Sequence, residues 1–72
     1  MASKINFELR KDVWGTRVRY ILIAKIGDWK GFLPFGRKGD YKMYLQKYSS
    51  DENLVRSHFQ SIDTIPEEWK EI

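Results

Sequence analysis

From Thr16 to Ile26 the apolar positions recur at period two, with Val18, Tyr20, Leu22, Ala24 and Ile26 on one face. The opposite face carries Arg17, Arg19, Ile21, Ile23 and Lys25, three cations around two isoleucines. A run so rich in β-branched and aromatic residues, bounded by Gly15 and Gly27, predicts a long central strand. Lys4 to Arg10 alternates in the same way and predicts a first, half-buried strand. Its Ile5, Phe7 and Leu9 point one way, and Lys4, Asn6, Glu8 and Arg10 the other. Lys11 to Gly15 reads as the connection between the two. Trp14 within it is either folded back over the core edge or held out as an anchor for a partner.

Gly27-Asp28 is the signal of a two-residue type II′ hairpin, because glycine supplies the positive φ at its first position. Trp29 to Phe35 is then a third strand. Gly31 and Pro34 mark it as short and at an edge, or as ending by Leu33. Gly36 to Asp40 is a turn in which two glycines bracket Arg37 and Lys38. Tyr41 to Tyr48 alternates again, assigning Tyr41, Met43 and Leu45 to the core and Lys42, Tyr44, Gln46 and Tyr48 to solvent, as a fourth strand would. Ser49 with Glu52 three residues later has the form of a capping box, and predicts a helix over 51–61 with Leu54, Val55, Phe59 and Ile62 as its apolar stripe. Pro66 then opens a short terminal turn, where its missing N–H costs nothing, and Ile65, Trp69 and Ile72 are spaced to tuck that turn against the sheet.

The elements add up to one α+β domain over residues 1–72, a three- to four-stranded antiparallel β-meander followed by one C-terminal helix packed on one sheet face. No other element is assigned to the second face, which is expected to be open. At 72 residues, near the lower limit for folding without metals or disulfides, and with no cysteine, stability must come from apolar packing, helped if need be by self-association. No signal peptide is expected from the charged opening MASKINFELRKD, and the apolar run Tyr20 to Ala24 is far too short to span a bilayer. The expected compartment is therefore cytoplasmic, with no membrane partner.

Charge adds an asymmetry. Residues 1–50 hold eleven Lys/Arg against four Asp/Glu, a balance of +7, whereas 51–72 hold two against six, a balance of −4. An open face displaying Arg10, Arg17, Arg19, Lys25 and Lys42 among Tyr44 and Tyr48 would neutralise phosphates and stack bases. This is the expected nucleic-acid site, DNA or RNA, with Arg37 and Lys38 offering a phosphate nest at the turn. The bland reading is that an open antiparallel sheet must be polar and that strand cations deter edge aggregation. Ile21 and Ile23 in the middle of that face call for a covering partner, which a second copy of the chain would supply as a homodimer. The alternative function is a protein–protein module, an adaptor or inhibitor of a larger protein, using Trp14, Trp29, Phe32 and the two isoleucines or the acidic C-terminal segment. An enzyme is not expected. His58 has no second His or Cys to complete a metal site, no serine or threonine has an evident triad, and so small a sheet leaves little room for a pocket of about 300 Å³. Neither a cofactor nor a metal is predicted.

Overall fold

The computed structural model describes residues 5–71, so the expectations placed on Lys4 and Ile72 lie outside the described residues. Three long strands form the centre of the sheet: β1 (Asn6–Trp14), β2 (Arg17–Ile26) and β3 (Trp29–Phe35). They are joined by two-residue hairpins, each with one positive-φ glycine, Gly15 at 59° and Gly27 at 57°. Positive φ at the first turn position alone is the type II′ pattern expected at Gly27-Asp28, and Gly15-Thr16 repeats it. Two helices follow, α1 (Tyr41–Tyr48), entered through a 3-10 turn at Lys38–Asp40, and α2 (Glu52–His58). Two short strands complete an antiparallel five-stranded sheet, β4 (Gln60–Ser61) on the outer edge of β3 and β5 (Lys70–Glu71) on the outer edge of β1. The class is α+β, with two helices where the sequence reading assigned one.

The central register keeps the face assignment. Leu22, Ala24 and Ile26 join Phe35, Tyr48, Val55 and Phe59 in the main core under the helices, while Ile21 and Ile23 point to the other side. Strand β1 runs on to Trp14, four residues past its expected end at Arg10, because Lys11 to Trp14 pair with Arg17 to Tyr20 and do not form a loop. Strand β3 likewise continues past Leu33. The Ile62 N–H donates to the Lys30 carbonyl, so Lys30, Phe32 and Pro34 turn their backbone groups to the outer edge. Strand β4 covers only Gly31 and Phe32 of that edge, and Pro34 therefore lacks an N–H where no partner needs one. Gly31 is buried beneath the Trp29 ring, and a Cβ there would also press on the Phe59 Cβ.

The predicted fourth strand is helix α1. Tyr41, Tyr44, Leu45 and Tyr48 sit at offsets 0, 3, 4 and 7, a helical stripe hidden inside the alternation, and all four pack on the main core while Met43 is exposed. The cap also shifts. Ser49 closes α1, and Asp51 is the N-cap of α2, its carboxylate accepting from the Leu54 N–H at 3.1 Å. Helix α2 ends at His58, with Phe59 already extended. The two helices are tied together by a hydrogen bond between the buried Tyr48 hydroxyl and His58 Nδ1 at 2.9 Å.

The open second face is the largest correction. Since β4 lies on one outer edge and β5 on the other, the chain between them crosses the second face of the sheet. Trp69 buries Ile21 and Ile23, both 0% exposed, and its ring meets Phe32 at 5.2 Å between centroids, with Ile62 and Ile65 alongside. The tail that was expected only to tuck against the sheet supplies the missing layer. With it falls the reason for pairing two copies through Ile21 and Ile23.

Candidate nucleic-acid interface

The residues expected to form one cationic, ring-bearing face separate into three groups. Arg10 and Lys25 lie on the tail-covered side and are engaged by acids. Arg10 donates from Nη1 to the Trp69 carbonyl at 2.9 Å and from Nη2 to Glu8 Oε1 at 2.6 Å, and lies 3.6 Å from Glu71. Lys25 Nζ is 3.1 Å from the second Glu8 oxygen. Burial pushes the Glu8 carboxyl up, but its hydrogen bonds with Glu71 and Lys25 and the charges of Arg10 and Lys25 outweigh that and hold it below the ordinary 4.5. Arg10 staples the tail to the sheet, while Lys25 pairs with Glu8 across β1 and β2. The second group, Tyr44 and Tyr48, is packed on the helix side, Tyr44 against Phe35 at 5.2 Å and Tyr48 edge-on to Phe59 at 5.0 Å. Their rings are not laid out for bases. Of the proposed protein contacts, Ile21, Ile23 and Phe32 lie beneath the tail, and Trp29 is half-buried with the Arg56 guanidinium 5.3 Å above its ring.

The third group converges at one end of the molecule. Strand β5 flanks β1 only at Arg10 and Lys11, and β3 flanks β2 only as far as Tyr20 opposite Phe35. The pairs Asp12–Arg19, Val13–Val18 and Trp14–Arg17 therefore stand clear as a two-stranded arm. At about 3.4 Å per residue, these three pairs and their turn project by about 10 Å, which fits a domain measuring 43 × 25 × 19 Å. Asp12, Trp14, Arg17 and Arg19 share one face of the arm; Val13 and Val18 share the other. Trp14 is 76% exposed, Val13 52% and Val18 45%. Of the two dispositions expected for Trp14, the structure takes the outward one.

At the arm's foot Asp12 is buried, and its Oδ2 accepts from Arg19 Nη2 at 3.0 Å. The pair holds the Arg19 guanidinium in place while leaving it half exposed, and removal of Arg19 would leave the buried Asp12 carboxylate unpaired. Arg17 is exposed and, among the described residues, pairs with no acid. The turn carrying Arg37 and Lys38 leaves the sheet at the register position of Tyr20, where the arm begins, and leads into Lys42 on the first turn of α1. Residues 11–20 and 36–42 together contain six Lys/Arg against two Asp, a balance of +4. An open groove of about 400 Å³ lined by Asp12, Trp14, Arg17, Val18 and Arg19 runs along the arm, a volume the sequence reading did not expect. Among the described residues, no group of three or more His, Cys, Asp or Glu is placed to hold a metal ion, and no helix is long and apolar enough to cross a membrane.

Sequence reasoning named Arg17, Arg19, Arg37, Lys38 and Lys42 and missed what joins them. The signal was the pair of two-residue hairpins: unequal lengths of flanking strand leave the first hairpin without neighbours. No family model, curated protein or solved structure matches the chain.

Proposed function

We propose that this chain is a non-enzymatic nucleic-acid-binding module whose contact surface is the arm end of the molecule. The observation that carries the reading is clustering toward one end of the sheet: Arg17 and Arg19 of β2 stand with the exposed indole of Trp14, and Arg37, Lys38 and Lys42 follow where the chain leaves β3 opposite Tyr20. Such a cluster attracts a polyanion by releasing its condensed counterions. Arginine contributes planar paired donors suited to phosphate or guanine. Six of the ten acids lie outside the arm and the 36–42 segment, in residues 51–71. This reading keeps the class expected from sequence and moves its surface from the sheet face to the arm.

The exposure of Val13, Trp14 and Val18 favours a second reading, in which the arm tip is the anchor of a protein–protein module. The two readings separate in fluorescence anisotropy with labelled DNA and RNA oligomers, titrated from low to physiological salt. Nucleic-acid binding predicts association that weakens steeply with salt. Absence of binding to every oligomer at low salt would leave the protein-partner reading.

A further inference from the structure

Resting on the nucleic-acid reading, we infer that the ligand is duplex DNA and that the arm enters its major groove. Dimensions support this first. The arm is two strands wide and projects by about 10 Å, while the major groove of B-form DNA is about 12 Å across and about 8.5 Å deep and admits a two-stranded ribbon; the minor groove, about 6 Å across, does not. The placement of side chains supports it second. Trp14 and Arg17 face each other across the last pair of the arm, where they would reach base edges, and Arg19 lies behind them, oriented by Asp12. Arg37 and Lys38 leave the sheet at the arm's base, the height at which the flanking phosphates of an occupied groove would lie.

The aromatic inventory argues against a single strand. Such a ligand needs a row of exposed rings, each contributing through stacking on a base. Among the described residues, Trp14 is the only exposed aromatic side chain, and the tyrosines of α1 are packed against the core. A-form RNA is disfavoured for a different reason: its major groove is deep and too narrow for the arm.

The test uses the intact chain with a labelled DNA duplex, each of its component strands, and an RNA duplex of the same sequence, together with dimethyl sulfate footprinting. The DNA duplex should bind about tenfold or more tighter than either strand, the deficit expected when even one stacking ring is missing. It should also bind tighter than duplex RNA. Bound protein should shield guanine N7, which lies in the major groove, and leave adenine N3 in the minor groove reactive. Arg17→Ala, at an exposed position, should keep the melting temperature and weaken duplex binding by about fivefold or more, the loss of one base contact. Equal or tighter binding of single strands or of duplex RNA would overturn the inference and leave the nucleic-acid reading standing, as would shielding of adenine N3 with guanine N7 unprotected. Binding to none of the probes at low salt would remove both.

Discussion

Replacing Trp69 by alanine tests the feature on which the architecture turns, the tail as the second cover of the sheet. The indole is 7% exposed and lies over two isoleucines that are themselves fully buried. A buried tryptophan removes about 150–250 Å² from water, worth about 4–6 kcal/mol at 25 cal/mol per Å², and Trp→Ala substitutions in cores cost about 3–5 kcal/mol. At 0.05–0.15 kcal/mol per residue, a chain of 72 residues has a total stability of about 4–11 kcal/mol. The substitution therefore removes a large share of it. Since each kcal/mol moves the midpoint of so small a domain by about 4–8 °C, Tm should fall by about 12 °C or more. Urea denaturation followed by circular dichroism should show the midpoint falling in step. Trp69→Phe, which retains a ring over Ile21 and Ile23, should fall between the two proteins. If Trp69→Ala left both the urea midpoint and Tm unchanged, the tail would not be docked and the two isoleucines would need another cover.

Asp51→Ala should cost about 1 kcal/mol through loss of the cap on Leu54, whereas Ser49→Ala should leave the urea midpoint where it is; the reverse order would restore Ser49 as the cap. Gly31→Ala should destabilise by about 1–3 kcal/mol, because the added methyl meets the Trp29 ring and the Phe59 Cβ, and equal thermal stability would show that the ring yields freely. Because the folded state holds the Glu8 carboxyl below its ordinary 4.5, the ionised form favours folding. That contribution is present above the unfolded pKa and lost as pH falls through the lower folded value, so Tm should drop on acidification below about pH 4.5. Glu8→Gln should be less stable than the parent at neutral pH and less sensitive to that acidification; an identical pH profile would remove Glu8 as a contributor.

Much of the sheet was legible because one physical signal dominated each strand. In β2 the alternation is nearly complete, and both faces follow it down to the placement of Ile21 opposite Leu22. Helix α1 was misread because Tyr41 to Tyr48 satisfies periods of two and of 3.6 at once, and eight residues are too few to separate them by pattern alone. The core decides, since the helical phase buries Tyr44 and Tyr48 together and the strand phase would put both in water. The tail carried the right residues, Ile65 and Trp69, but its destination depends on β4 turning the chain around the edge of β3. A two-residue strand has too little pattern to announce itself. The cations of the site were legible as a group and their surface was not, because ion pairing with Glu8 withdraws Arg10 and Lys25, while the register of the first hairpin advances Arg17 and Arg19.

The contrast between those two sets of cations gives the most direct measurement of where the chain engages its ligand. The slope of log K against log salt counts the phosphates a protein neutralises, at about 0.9 per contact on duplex DNA. The combined substitution Arg37→Ala and Lys38→Ala should flatten that slope by about 1.8, the share of two contacts. Lys25→Ala, on the tail-covered side, should leave it unchanged. A double variant with the parent slope, or a Lys25→Ala variant that flattens it as much, would contradict an interface at the arm.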